Sequence, residues 1–151
     1  MIEKNIAPGL MRDFDFENFK FLNPEIFKEE KKKCYGEIKY DEKLEILASD
    51  VSHKAIQIAR TNAEILGLDE DISFFQKDIR DLDLPDDYGV LITNPPYGER
   101  IGKEDVDELN RELGKLAKSL DTWSFYIITG NENFEKNFGK RADRNRKLYN
   151  G

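Results

Sequence analysis

Tyr88-Gly89-Val90-Leu91-Ile92-Thr93-Asn94-Pro95-Pro96-Tyr97 is the stretch on which the reading of the chain turns. Four apolar or β-branched residues after a glycine read as a short buried strand. Two consecutive prolines have no N–H for a ladder, so the strand must stop at Asn94. Working outward, Glu45-Ile46-Leu47-Ala48-Ser49-Asp50 and Ile72-Ser73-Phe74-Phe75-Gln76 are further short apolar runs, the first ending in an acid and the second just before Asp78. Residues 122–129, through Trp123, Phe125, Tyr126, Ile127 and Ile128, make a fourth strand, and Leu148-Tyr149 begins a fifth.

Helical patterns fill the gaps. Ser52 caps a helix whose Ile56, Ala59, Ala63 and Leu66 share a face and which Gly67 ends. Val106, Leu109, Leu113, Leu116 and Leu120 share a face across 103–120, and 131–138 forms a short helix. Asn23-Pro24 opens another helix reaching Cys34 or Tyr35. Upstream, Ile6-Ala7-Pro8-Gly9-Leu10 reads as a helix end followed by a loop, and Phe14, Phe16, Phe19 and Phe21 follow no clean period. Strands alternating with helix-length spacers predict an α/β fold, a mostly parallel sheet with helices on both faces. Ligands of such sheets sit beyond the carboxyl ends of the strands, where Asp50, Asp78 and Asn94 fall.

With 151 residues there is room for one domain and hardly for two. Charged residues reach 36%, yet 10 Phe, 6 Tyr and 1 Trp suffice for a core. No apolar run approaches the roughly 18 residues of a membrane span, and the start has no signal-peptide pattern. A single cysteine, Cys34, excludes an internal disulfide or a Cys-rich zinc site, and a single histidine, His53, excludes a His-based metal cluster. His53 reads as surface or capping, Cys34 as a buried small apolar residue or an inert surface thiol, and Trp123 and Phe125 as core strand residues. A metal-free cytoplasmic domain is expected. The net charge of −7 disfavours binding nucleic acid through the overall field, but residues 140–147 carry Lys140, Arg141, Arg144, Arg146 and Lys147 against Asp143 alone. That run is either a solvated face or a phosphate-contacting patch.

Average residue frequencies place Asn/Asp/Ser-Pro-Pro-aromatic by chance in under about 1% of chains this long, so a mere strand-ending turn is the weaker reading. The chemical reading has a mechanism. A nucleobase amino group is a poor nucleophile because its lone pair is delocalised into the ring. Two acceptors, the Asn94 side-chain oxygen and the Pro95 carbonyl, can hold its two N–H groups and draw the nitrogen toward a pyramidal shape. Pro96 stiffens the corner and Tyr97 can stack on an extruded base. The work is positioning and electrostatics, with no histidine base required. An acid ending a strand, as Asp50 does, commonly binds ribose hydroxyls. Asp78 is placed to accept from an adenine amino group. Each acid alone is equally well a cap or turn residue.

Ile92-Thr93-Asn94-Pro95-Pro96-Tyr97-Gly98-Glu99-Arg100 resembles the catalytic loop of the bacterial 23S rRNA guanine-N2 methyltransferases, a family of RNA methylases. Asn5-Ile6-Ala7-Pro8-Gly9-Leu10, Ile58-Ala59-Arg60-Thr61-Asn62-Ala63 and the stretch from Phe138-Gly139-Lys140 through Arg146-Lys147-Leu148-Tyr149-Asn150-Gly151 resemble the same family. The resemblance implies a Rossmann-like class I fold, S-adenosylmethionine as cofactor and RNA as substrate. It assigns Asp50 to the cofactor ribose, Asp78 to the adenine amino group, Asn94 to Tyr97 to the target guanine, and Arg100 to RNA phosphate or to bracing the loop.

One departure stands out. The family's first strand leads into a Gly-rich loop that cradles the cofactor, whereas no two of the ten glycines here form Gly-x-Gly. Residues 1–151 therefore read as a partial catalytic domain lacking that first strand and the family's RNA-binding THUMP domain, with weak or absent cofactor binding alone. An open sheet edge is expected to favour self-association. DNA adenine-N6 methylation and a non-catalytic RNA- or partner-binding remnant are the alternatives. A nicotinamide oxidoreductase is disfavoured, since no Gly-x-Gly-x-x-Gly follows a strand.

Overall fold

Ile46–Asp50 lies extended as β1 and pairs in parallel with β2, Ile72–Gln76, in a register running from Ile46–Ile72 to Asp50–Gln76. The structure is a computed structural model and describes residues 1–85, 87–96 and 102–148. Parallel neighbours need a crossover, and α2, His53–Ile65, supplies it. The Ser52 hydroxyl accepts from the Ala55 N–H at 3.3 Å, satisfying a donor of the first turn. At the other end Gly67 adopts φ +63°, and the N–H groups of Gly67 and Leu68 bond back to the carbonyls of Glu64 and Ala63. This is the Schellman ending that glycine permits without Cβ strain.

The chain divides into two compact units, Met1–Lys77 and Asp78–Gly151. The first has its core at Ile6, Ala63 and Leu68, flanked by Ile38, Leu66, Ile72 and Phe74. Ile6 arrives there through a turn with the same bond pattern: Asn5 takes φ +53°, its N–H bonds the Ile2 carbonyl, and the Ile6 N–H bonds the Met1 carbonyl. The expected helix end is thus only a turn, residues 2–5, closed at Asn5, which tolerates the left-handed conformation; among the described residues no helix precedes it. Helix α1, Pro24–Gly36, starts as expected, with the Asn23 side chain accepting from the Glu25 N–H at 3.1 Å. Of the phenylalanines without a period only Phe16 lies in a short 3-10 helix, Asp15–Asn18; its ring and that of Phe14, the residue before the helix, meet Phe27 of α1 edge-on. A cavity of about 130 Å³ lies beside them, with half-buried Cys34 in its wall.

In the second unit β3, Val90–Thr93, pairs in parallel with β4, Ser124–Ile127, across the crossover helix α3, Lys103–Ser119. Val106, Leu113 and Leu120 are buried, and Leu113 is only 1% exposed. Helix α4, Phe134–Phe138, is shorter than the expected 131–138. Trp123 and Gly89 fall just outside the strands, and the Trp123 indole covers Gly89, where a Cβ would collide with it. Leu148 is not in a strand, and Tyr149 lies outside the described residues. Among the described residues no helix is long and apolar enough to cross a membrane.

Candidate active site

In the first unit Asp50 ends β1 and is exposed. Its Oδ1 accepts from the Ser52 N–H at 2.7 Å, and its backbone carbonyl accepts from the Lys77 N–H at 3.2 Å. The Gln76 side chain donates to the Val51 carbonyl at 3.2 Å, so the ends of β1 and β2 are tied together beyond the ladder. One carboxylate oxygen of Asp50 is therefore spent on orienting the side chain. The other meets no partner among the described residues and is open to a hydroxyl donor. His53, the first residue of α2, is exposed and its side chain makes no hydrogen bond among the described residues.

In the second unit Asp78 caps a single 3-10 turn, Ile79–Asp81. Its Oδ1 accepts from the backbone N–H and the Nε of Arg80 at 3.0 and 2.9 Å, and its Oδ2 accepts from Nη2 at 2.7 Å. This fork holds the Asp78 carboxyl down to about 2. Three of roughly four lone-pair sites are taken, which leaves one on Oδ2 for a further donor. The sequence reading missed Arg80. A basic residue two positions beyond an acid was the available signal, but only the 3-10 turn brings the guanidinium back onto the carboxylate.

Asn94 follows β3 directly. The Ile128 N–H bonds the Thr93 carbonyl at 3.0 Å, so pairing with the neighbouring strand extends to the residue before it. Asn94 is exposed, Pro95 is buried and Pro96 is half-buried. The Asn94 amide meets no hydrogen-bond partner among the described residues, so the corner presents its polar group outward while the packed proline anchors it. Tyr97 and Arg100 lie outside the described residues.

A fourth strand end also carries polar groups that the sequence reading passed over. Asn131 follows β4; its Nδ2 donates to Asp107 Oδ1 of α3 at 3.4 Å, and Nδ2 of Asn137 donates to the same oxygen at 2.5 Å. The Glu135 carboxylate accepts from the Ala142 N–H at 3.1 Å, tying α4 to the start of the basic run. Lys140, Arg141, Arg144, Arg146 and Lys147 are all exposed.

The family model described as "UPF0020: RMKL-like, methyltransferase domain" matches residues 1–151. The chain is 41% identical over 152 residues to "Putative RNA methyltransferase YpsC" of Bacillus subtilis (strain 168), covering 100% of this chain and 40% of the relative. It is 40% identical over 114 residues to "Ribosomal RNA large subunit methyltransferase K/L" of Syntrophotalea carbinolica, covering 70% of this chain and 16% of that protein. Among solved structures, "SMU.472, a putative methyltransferase complexed with SAH" superposes with a TM-score of 0.91 at 39% identity, covering 100% of this chain and 40% of that one. A "predicted N6-adenine-specific DNA methylase" from Listeria monocytogenes gives 0.89 at 39% identity, covering 98% and 39%. The parallel α/β class expected from the strand–helix alternation, in the Rossmann-like form that the resemblance implies, is the fold of these methyltransferases. The chain spans at most about two-fifths of the length of these relatives.

Proposed function

The chain belongs to the RMKL-like methyltransferase-domain family UPF0020, and from that membership we propose that it forms the base-gripping part of a cytoplasmic, S-adenosylmethionine-dependent N-methyltransferase. The target is an exocyclic amino group of a nucleobase, most specifically guanine N2 of 23S rRNA. The observation that carries this is the Asn94 corner: a solvent-facing amide without a described partner, at the end of a paired strand, on a buried proline.

S-adenosylmethionine, when bound, supplies an electrophilic methyl group. The residues present fit part of that molecule. Asp50 offers one uncommitted carboxylate oxygen to ribose hydroxyls, and Asp78 keeps one lone pair for an adenine amino group. Asn94 Oδ1 and the Pro95 carbonyl take the two N–H groups of the target amine and orient its lone pair. Pro96 restricts the loop that follows. Tyr97 stacks on the flipped base, and Arg100 with the run 140–147 contacts RNA phosphate.

The test is Asn94→Ala in the full-length gene product, assayed for methyl transfer to unmodified large-subunit rRNA. Loss of one positioned acceptor at the reacting atom costs about 10²–10³ in kcat. An unchanged rate removes the proposal. The Listeria protein's description as a DNA methylase favours a second reading, adenine-N6 methylation. Transfer to duplex DNA and not to rRNA by the same preparation selects it. Failure on both substrates by a folded, cofactor-binding protein selects the non-catalytic reading.

A further inference from the structure

We propose that the RNA-phosphate track runs beyond residues 140–147 onto the exposed face of α3, through Arg111, Lys115 and Lys118. The track takes its partner from the RNA reading above and adds to it a surface on a regular helix.

Charge is unevenly placed along the chain. Residues 1–110 hold 15 basic and 26 acidic residues, whereas residues 111–148 hold 9 basic and 5 acidic. A protein of net charge −7 thus keeps a positive segment of its own, and phosphate binding answers to such local charge. Arg111, Lys115 and Lys118 stand at i, i+4 and i+7, on one helical face, and all three are exposed. Lys115 reaches Glu112 at 2.7 Å, but with the lysine side chain 71% exposed that pair is weak and readily exchanged for phosphate.

Lys118 joins this face to the basic run. Its Nζ lies 3.5 Å from where a Cβ on Gly139 would sit, so the ammonium stands where α4 gives way to Lys140. The join is held in place. Asp107 of α3 accepts from Asn131 and from Asn137 of α4, and Glu135 of α4 accepts from Ala142 inside the run. Cations from two separate sequence stretches are therefore presented in fixed relation, as a phosphate backbone requires and as a merely solvated helix face does not.

The experiment titrates the full chain against a fluorescent RNA stem-loop, by anisotropy, over a series of KCl concentrations. Three triple variants are compared with wild type: Arg111→Gln/Lys115→Gln/Lys118→Gln, Lys140→Gln/Arg141→Gln/Arg144→Gln, and a control on α1, Lys28→Gln/Lys32→Gln/Lys33→Gln. Circular dichroism melts matching wild type establish that the exposed substitutions leave the fold intact. The α3 variant is expected to lose about 10–100-fold in affinity, and the slope of log K against log salt to fall by about two, since each phosphate contact carries about 0.7 on single strands. The α1 variant should bind as wild type. A wild-type slope in the α3 variant, with loss in the 140–147 variant, overturns the track and leaves the RNA reading standing. Equal loss in the α1 control, or tighter binding to duplex DNA than to RNA, also overturns it. Absence of salt-sensitive RNA binding by the wild-type chain overturns the track and leaves the RNA reading to the methyl-transfer assay on the full-length gene product.

Discussion

Lys4 and Asp71 meet at 2.5 Å with side chains only 10% and 5% exposed, so an ion pair closes off the core of the first unit. Asp71 also accepts from the Leu44 N–H at 3.0 Å, just ahead of β1. The bond from Lys4, then that from Leu44, holds the Asp71 carboxyl below its ordinary value of 3.8. A depressed carboxylate adds stability that is complete above the unfolded value and is lost as pH falls through the folded one. Stability should therefore drop below about pH 4, and Asp71→Asn should lower the melting temperature at pH 7 while flattening that acid limb. Melts followed from pH 7 to pH 2 check both; a variant with the wild-type profile contradicts them.

Asp78 should titrate near 2, and Arg80→Gln should return it toward 3.8, because the Arg80 bonds are the chief cause of its depression. Carboxyl-carbon NMR reads this directly. In the wild type the contribution of this pair persists above 3.8 and fades as pH falls toward 2. An Asp78 resonance already titrating near 3.8 in the wild type would contradict the fork seen in the structure.

Asp50→Ala should weaken binding of S-adenosylmethionine by the full-length protein about 10–100-fold, the loss expected for a hydrogen bond to a charged group. The fold should change little, since only the Ser52 N–H loses a partner and the Ser52 cap of α2 remains. Calorimetry supplies the dissociation constant. The 151-residue chain by itself, with no Gly-x-Gly cradle, should show no micromolar binding in the same instrument.

Gly114→Ala should destabilise the second unit by about 1–3 kcal/mol or more, because the added Cβ would run into the backbone carbonyl of Phe138. Chemical denaturation measures it. Such a shift would also disturb the bonds from Asp107 to Asn131 and Asn137, so the variant should weaken RNA binding as well as stability.

Much was legible in residue order. Apolar runs of strand length gave β1 to β4 to within about two residues, and Asn23, Ser52 and Gly67 marked helix ends where the structure has them. These signals are local: a cap needs only its own first turn, and two prolines stop a ladder whatever lies around them. Asn94, Pro95, Asp50 and Asp78 were singled out as candidates by the same logic, as residues at or just beyond strand ends.

What residue order left open were meetings between side chains that no short period encodes. The aromatic contact of Phe14 and Phe16 with Phe27, the capture of Asp78 by Arg80, and the hold of Asp107 on Asn131 and Asn137 depend on where the backbone turns. The sequence by itself determined the parallel α/β class and the polar groups at its strand ends, because burial and backbone bonding act over a few residues. Only the tertiary structure decided which of those groups stay open to a ligand and which are spent internally. A carboxylate or amide has a fixed number of lone pairs and protons, and folding alone settles what occupies them.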